Sequence, residues 1–311
     1  MVRNSNLSKA KKAKCDEFYT QLEDIEKELR HYDFTYKTIY CNCDNPNLSN
    51  FYKYFKLNFH YLKINKLICT GYNPDGNGFY GEYDGENEII KQLNSNGDFR
   101  SAECVEFLKE CDVVVTNPPF SLFREYVAQL MEYEKKFLII GNMNAITYKE
   151  IFPYIKNNEL WLGCKGLGVD FFFNVPDDYK EELMATKTQG GGWRIIDGEV
   201  VGRVANACWY TNIGHSRRNT ELDLYRRYSV EDYPKYDNYD AIEVSKVSEI
   251  PMDYEGVMGV PITFLDKYCP TQFEIVNMST MSGVSANYWT MINGKPKFAR
   301  IYIRKKSLSA N

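Results

Sequence analysis

The residues with most chemistry to offer stand together as Asn117-Pro118-Pro119-Phe120. They close a short apolar run, Val113-Val114-Val115, whose β-branched side chains read as a buried strand. Proline fixes φ and lacks an N–H, so Pro118-Pro119 cannot continue a central strand and must leave the sheet as a stiff turn. Open α/β sheets bind ligands just beyond the carboxyl ends of their strands. Asn117 and Phe120 are therefore expected on a rigid shelf where such folds do chemistry.

A shelf of this kind suits an amine that is a poor nucleophile, and the exocyclic amine of adenine is one, because its lone pair is delocalised into the ring. The Asn carboxamide oxygen and the Pro118 carbonyl can both accept hydrogen bonds from that NH2. Such contacts favour a pyramidal nitrogen whose lone pair points at an electrophile, an effect of positioning and electrostatics. The aromatic that follows can stack on a base flipped out of a duplex. On the tetrapeptide alone a second reading stays open: a strand and a Pro-Pro turn, with Asn117 capping a helix over residues 121–130.

The elements around this shelf alternate. Residues 38–43 read as the first central strand, ending in Asp44, and a helix follows from Asn50 to about Leu62. An acidic residue at a strand end before a helix is where a nucleoside cofactor is commonly gripped. Ser49 and Asn50 are good N-cap types, but the loop has no GxG. Residues 66–70 form a second strand, 73–85 a Gly-rich irregular loop, and 101–109 a helix after Gly97-Asp98-Phe99. Residues 121–133 are helical, 136–142 a strand, and 159–163 and 169–175 supply two more. Ahead of all these, Thr20 is expected to N-cap a helix to Leu29 with Glu23 completing a capping box. Its buried stripe would be Leu22, Ile25, Glu26 and Leu29. This order predicts an α/β fold, a doubly wound, mostly parallel sheet with helices on both faces.

Composition narrows the class. The 311 residues are 44% hydrophobic and 26% charged, which is ordinary for a soluble globular chain with room for a second, smaller domain. The net charge of −4 means that any basic surface must be local. Nine scattered cysteines, none in a CxxC pair, argue against a disulfide framework, and the thiols are read as reduced, in a cytoplasm. His31, His60 and His215 show no zinc spacing, so no metal is expected. No apolar run approaches the length of a membrane helix, and the N-terminus lacks the apolar core of a secretion signal. Residues 1–14 carry five Lys/Arg and no acid, and read as a basic flexible tail.

After residue 176 the character changes. Between Lys187 and Arg227, seven Lys/Arg face four Asp/Glu, interleaved with Trp193, Trp209, Tyr210 and Tyr225. Asp197-Gly198 announces a hairpin. Cations among aromatics on hairpins suit a nucleic-acid surface, with Arg194, Arg203, Arg217 and Arg218 as candidate contacts, although a β subdomain with a solvated rim gives the same counts. Residues 229–256 are acidic and read as a surface segment. Asn293-Gly294 marks a further hairpin whose second strand would turn Arg300, Tyr302 and Arg304 one way and Ile301 and Ile303 the other. Arg300 and Arg304 are the candidates there for a phosphate backbone.

Four pieces now stand in one order: Phe18-Tyr19-Thr20, Asp44 with Ser49-Asn50-Phe51, Gly97-Asp98-Phe99, and Asn117-Pro118-Pro119-Phe120. This series resembles the motifs of S-adenosylmethionine-dependent amino-methyltransferases, in the gamma-type order of DNA adenine methyltransferases. Together with Gly259–Tyr268 and the Asn-Gly hairpin ending in Ala299-Arg300-Ile301, the chain resembles the EcoRI-type adenine-specific methyltransferase family over residues 14–306. The resemblance implies a Rossmann-like class I methyltransferase fold with a smaller β-rich C-terminal target-recognition region. It implies a cofactor-binding catalytic domain over 15–176 and a DNA-binding region over 177–311. Phe18, Tyr19 and Thr20 would line the methionine end of S-adenosylmethionine, and Asp44, Ser49 and Asn50 its loop. Asp98 and Phe99 would meet its adenine. Asn117, Pro118, Pro119 and Phe120 would hold the target base of double-stranded DNA, with Asn117 also near the cofactor. The acidic ribose-binding residue is not identifiable after the second strand. A cytoplasmic monomer is expected.

Two other readings remain. A protein-glutamine N5-methyltransferase meets the same chemical problem with an Asn-Pro-Pro-aromatic site, and a catalytically inactive DNA-binding homologue would keep the fold.

Overall fold

Thr20 is a strand residue in the computed structural model, which describes residues 19–175, 177–196, 198–204, 206–279 and 290–306, with backbone only at 19 and 177–179. Phe18 and the basic tail lie outside the described residues. β1 (Tyr19–Thr20) pairs antiparallel with a later strand, Tyr19 against Asn174 and Thr20 against Phe173. That pairing overrides the expected capping box: α1 (Leu22–Leu29) has Gln21 at its N-cap, with no side-chain cap bond. Its buried residues are Ile25, Glu28 and Leu29. Glu28, not Glu26, is thus the acid on the inner face, where it accepts from the Tyr32 hydroxyl at 2.8 Å.

β2 (Thr38–Asn42) is followed by α2 (Asn50–Leu57), whose cap Ser49 accepts from the Tyr52 N–H at 3.1 Å. The expected single helix breaks at Asn58, and α3 (Phe59–Leu62) is a separate turn. β3 (Lys66–Gly71) leads into β4 (Phe79–Tyr83) and β5 (Glu88–Gln92), so the Gly-rich stretch read as irregular holds a strand. Ser101 caps α4 (Ala102–Glu110), which returns the chain to β6 (Val113–Thr116). A 3-10 turn, Phe120–Leu122, opens α5 (Phe123–Glu132), and β7 (Lys136–Asn142) follows. The excursion through α6 (Phe152–Lys156) and β8 (Trp161–Leu162) belongs to the second unit. The chain returns with β9 (Phe171–Asn174), α7 (Asp177–Thr186), the hairpin β10 (Trp193–Ile196) and β11 (Glu199–Val204), and β12 (Ala207–Thr211).

Within this first unit the large sheet runs β5-β4-β3-β2-β6-β7-β12. Its centre, β3-β2-β6-β7, is parallel, and the flanks are antiparallel. From β2 the chain steps to β3 on one side and later to β6 on the other, a topological switch point. Residues 39, 41, 113, 115, 138 and 140 face α1 and α2 in one apolar cluster with Phe51, Phe55 and Trp209. Tyr40 faces the other way, toward Phe107 of α4 at 6.3 Å between rings. Helices thus cover both faces of a doubly wound α/β sheet. A second sheet, β1-β9-β11-β10, is antiparallel throughout.

The second unit comprises residues 144–167 and 214–311. Its sheet orders β13 (Ile242–Glu243), β14 (Met258–Pro261), β18 (Arg300–Lys305) and β15 (Phe273–Met278), while β16 (Met291–Ile292) and β17 (Lys295–Pro296) form a small hairpin. Asn293 and Gly294 both take positive φ, as the Asn-Gly turn requires. The long second strand expected of that hairpin is instead β18, held between β14 and β15. Both its edges are therefore paired, and both faces are covered at 301–303, where Ile301, Tyr302 and Ile303 are all buried. The acidic stretch read as surface also contributes core, with Tyr236, Ile242, Val244 and Ile250 buried.

Candidate active site

Two strand ends meet at the switch point. Beyond β2, Cys43 adopts φ 64, a left-handed conformation that turns the chain and tucks Asp44 beneath the neighbouring β6. Asp44 is 6% exposed, its N–H donates to the Thr70 carbonyl at 2.8 Å, and its Oδ2 accepts from Thr116 Oγ1 at 2.6 Å. Burial pushes the Asp44 carboxyl up from 3.8 to about 6, against hydrogen bonds from Thr116, Ser49 and the Asn117 N–H that favour the charged form. Ser49 therefore orients Asp44 as well as capping α2, and it lies buried behind the cleft rather than in its wall.

Asn117 follows Thr116 and lines a cleft of about 840 Å³ with Thr20, Asp44, Asn50, Asp98 and Phe99. Pro119 lines it too, with φ −56 and ψ 121. The turn and helix beyond are capped at Pro119 and Leu122, so Asn117 is not at a cap position and the capping alternative falls away. Pro118 is buried, and Phe120 packs partly against the apolar cluster of the first unit. Asn50 Nδ2 donates to the Thr20 carbonyl at 2.8 Å, tying β1 to the cofactor-type loop. The Thr20 hydroxyl is buried and has no partner among the described residues.

The opposite wall is the stretch Gly97–Arg100. Phe99 is 3% exposed and meets Tyr126 edge to face at 5.0 Å. Arg100 grips Asp98, Nε to Oδ1 at 2.9 Å and Nη2 to Oδ2 at 2.7 Å, and holds that carboxyl below its usual range. Glycine, missing after β2, is supplied elsewhere. A Cβ on Gly97 would run into the Gly71 carbonyl, and one on Gly78 would lie 2.6 Å from the Gly97 N. Three chain segments thus approach backbone to backbone at the floor of the cleft. The Gly76-Asn77-Gly78 pattern catches only Gly78; Gly71 at a strand end and Gly97 before Asp98 stand outside it.

The geometry and the sequence comparisons agree. The family model described as "Adenine-specific methyltransferase EcoRI" matches residues 6–91 and 79–307. The chain is 48% identical over 334 residues to the Type II methyltransferase M.EcoRI of Escherichia coli, covering 99% of each. It is 37% identical over 316 residues to M.MpnI of Mycoplasma pneumoniae, covering 96% of this chain and 98% of that protein. M.MgeORF184P of Mycoplasma genitalium is also 37% identical, over 97% of this chain and 99% of its own. The chain belongs to the EcoRI family of adenine-specific methyltransferases.

As a member of the EcoRI family it is an enzyme, an adenine-specific DNA methyltransferase, and the family implies use of S-adenosylmethionine. No solved structure matches the chain. Among the described residues no cluster of His, Cys, Asp or Glu could hold a metal, and no helix is long and apolar enough to cross a membrane.

The six arginines expected on DNA are divided between the two units of this EcoRI-family chain, and two of them are not exposed. Arg194 is exposed on the β10–β11 hairpin, its guanidinium 4.2 Å from the Phe172 ring. Arg203, on the same hairpin, is exposed and pairs with Asp170 at 2.6 Å. In the second unit, Arg217 is exposed and bonds the Cys164 carbonyl, and Arg304 pairs with Glu274 at 3.0 Å. Arg218 is buried against Trp161 at 3.7 Å and bonded to Asn158; burial pushes it down to about 10. Arg300 pairs with Glu243 at 2.6 Å, the two side chains 12% and 3% exposed. These last two are committed to the interior of their unit.

Proposed function

We propose that the cleft holds S-adenosylmethionine beside Asn117, and that the chain methylates the N6 amine of an adenine flipped out of double-stranded DNA. The observation that carries this reading is the hydrogen-bonded junction of Asp44 and Thr116, which sets a buried acid and Asn117 at the ends of adjacent parallel strands. The residues fit the cofactor. The unpartnered Thr20 hydroxyl can donate to its carboxylate, ionised Asp44 can face its cationic methionine end, and Asp98 with Phe99 can take its adenine. When bound, S-adenosylmethionine supplies a methyl group on a positively charged sulfur, which leaves as the thioether. Asn117 and the Pro118 carbonyl accept from the target NH2 and aim its lone pair; Phe120, half-buried against the apolar cluster, is assigned to stacking on the base. Ser49 and Thr116 keep Asp44 in place, and Tyr19 and Asn50 position β1 against the cleft.

Target recognition is assigned to the region after residue 176, with phosphate and base contacts from the exposed Arg194, Arg203, Arg217 and Arg304. The Type II relatives support a role as the modification half of a restriction–modification pair. Labelled S-adenosylmethionine incubated with duplex DNA, followed by nucleoside digestion, should place the label on N6-methyladenine. Label in protein glutamine instead, or cofactor binding without any transfer, would overturn the assignment in favour of one or other rival.

A further inference from the structure

Asp98 lines the cleft, as Asp44 does, and nearly all of its acceptor capacity is already spoken for. A carboxylate offers about four lone-pair sites. Oδ1 accepts from the Arg100 backbone N–H and from Arg100 Nε, each at 2.9 Å. Oδ2 accepts from Arg100 Nη2 at 2.7 Å. One site on Oδ2 is left over. The same guanidinium reaches α5 through Nη1, which donates to Glu125 Oε2 at 2.8 Å, and it lies 5.2 Å from the Phe99 ring. Arg100 itself lines the cleft.

We propose that Arg100 is a positioning residue that sets the base selectivity of the cofactor site. By clamping the carboxylate it fixes Asp98 as a single, ionised acceptor beside Phe99. A lone acceptor of this kind takes an exocyclic amine and rejects a carbonyl oxygen at the same ring position, because two acceptors face to face leave both unpaired. Adenine carries the amine; hypoxanthine carries the carbonyl. Without the Arg100 side chain the carboxylate loses two of its three donors, keeps only the backbone N–H, and is free to rotate and to take a proton. Glu125 serves to neutralise and hold the guanidinium from α5, and its removal leaves the two Arg100–Asp98 side-chain contacts intact. The inference rests on the reading of the cleft as the S-adenosylmethionine site.

The test uses the full chain and two probes, S-adenosylhomocysteine and its hypoxanthine counterpart, with binding measured by calorimetry. Wild type should prefer the adenine form by about 10- to 100-fold, the span expected for a hydrogen bond to a charged group. Arg100→Ala should collapse that ratio to a few-fold, mainly by weakening the adenine form, and Arg100→Lys should restore part of it. Glu125→Gln should keep the ratio within about twofold. An equal loss for both probes in Arg100→Ala, which is what a purely structural role over Phe99 would produce, overturns the proposal, as does an unchanged ratio. Should the wild-type chain bind neither probe, the cofactor reading itself fails; should it bind both equally, only the selectivity inference does.

Discussion

Thr116 Oγ1 donates to Asp44 Oδ2 at 2.6 Å, and so ties the end of β6 to the end of β2 one residue before Asn117. The contact is buried on both sides, with Thr116 fully covered and Asp44 nearly so. It makes Asp44 and the Asn117 shelf, proposed above to serve cofactor and target base, parts of one rigid corner. A hydrogen bond to a charged group contributes about 1.5–3 kcal/mol when its partners are buried. Each residue at this corner therefore has a separable consequence.

Asn117→Ala should abolish most methyl transfer while leaving cofactor affinity largely intact. Loss of one preorganised acceptor at a reacting centre costs about 10²–10³ in rate. Single-turnover kinetics with calorimetry on the same preparation checks both halves, and turnover close to wild type would remove Asn117 from its role.

Asp44 predicts two pH dependences of opposite sense. Its folded value, raised from 3.8 to about 6, means the folded protein binds the proton more tightly than the unfolded chain. The stability so contributed is fully present below the ordinary value and is lost as pH rises through about 6. Urea melts between pH 4 and 7 should show that decline, and Asp44→Asn should flatten it. A cationic cofactor needs the ionised form, so its affinity should instead fall below about pH 6, by up to tenfold per unit. A flat affinity profile in wild type would detach Asp44 from the cofactor.

Gly97→Ala should damage the floor of the cleft. Gly97 has φ +78 and its added Cβ would meet the Gly71 carbonyl, so neither backbone can accept it without shifting. A strained conformation of this kind costs about 1–3 kcal/mol. Thermal melting should register the loss, and cofactor binding should weaken with it; a fully stable variant with normal binding would show that the floor can move.

Arg194→Ala and Arg300→Ala should diverge. Arg194 is exposed, so its loss should weaken DNA binding and reduce the salt slope by about one unit. Arg300 is buried with Glu243, so its loss should cost about 3–5 kcal/mol of stability, because an uncompensated charge stays behind. Filter binding across salt concentrations and urea melts on both variants separate the two outcomes. A reduced salt slope in a fully stable Arg300→Ala protein would return that residue to the DNA surface.

The sequence by itself determined the features that neighbouring residues settle among themselves. A β-branched run stopped by Pro118-Pro119, a serine at 49 placed to cap a helix, and Asn293-Gly294 at a tight turn each act within a few residues, and each stands where expected. The ordered motifs likewise carried the family and part of the cleft lining: Thr20, Asp44, Asn50, Asp98, Phe99, Asn117 and Pro119 line it, whereas Ser49, Pro118 and Phe120 do not. What only the tertiary structure decided depends on partners far away along the chain. Thr20 abandoned its cap because it pairs with Phe173, and Gln21 bonds Asn174 across a separation of 153 residues. Arg300 looked like a free cation because nothing local shows Glu243, 57 residues earlier, nor that β18 is a central strand with both edges paired. The glycine floor was hidden for the same reason: Gly71, Gly78 and Gly97 matter only where three separate segments touch. Capping and turn chemistry are short-range and leave marks in sequence, whereas burial and charge pairing belong to the packed chain.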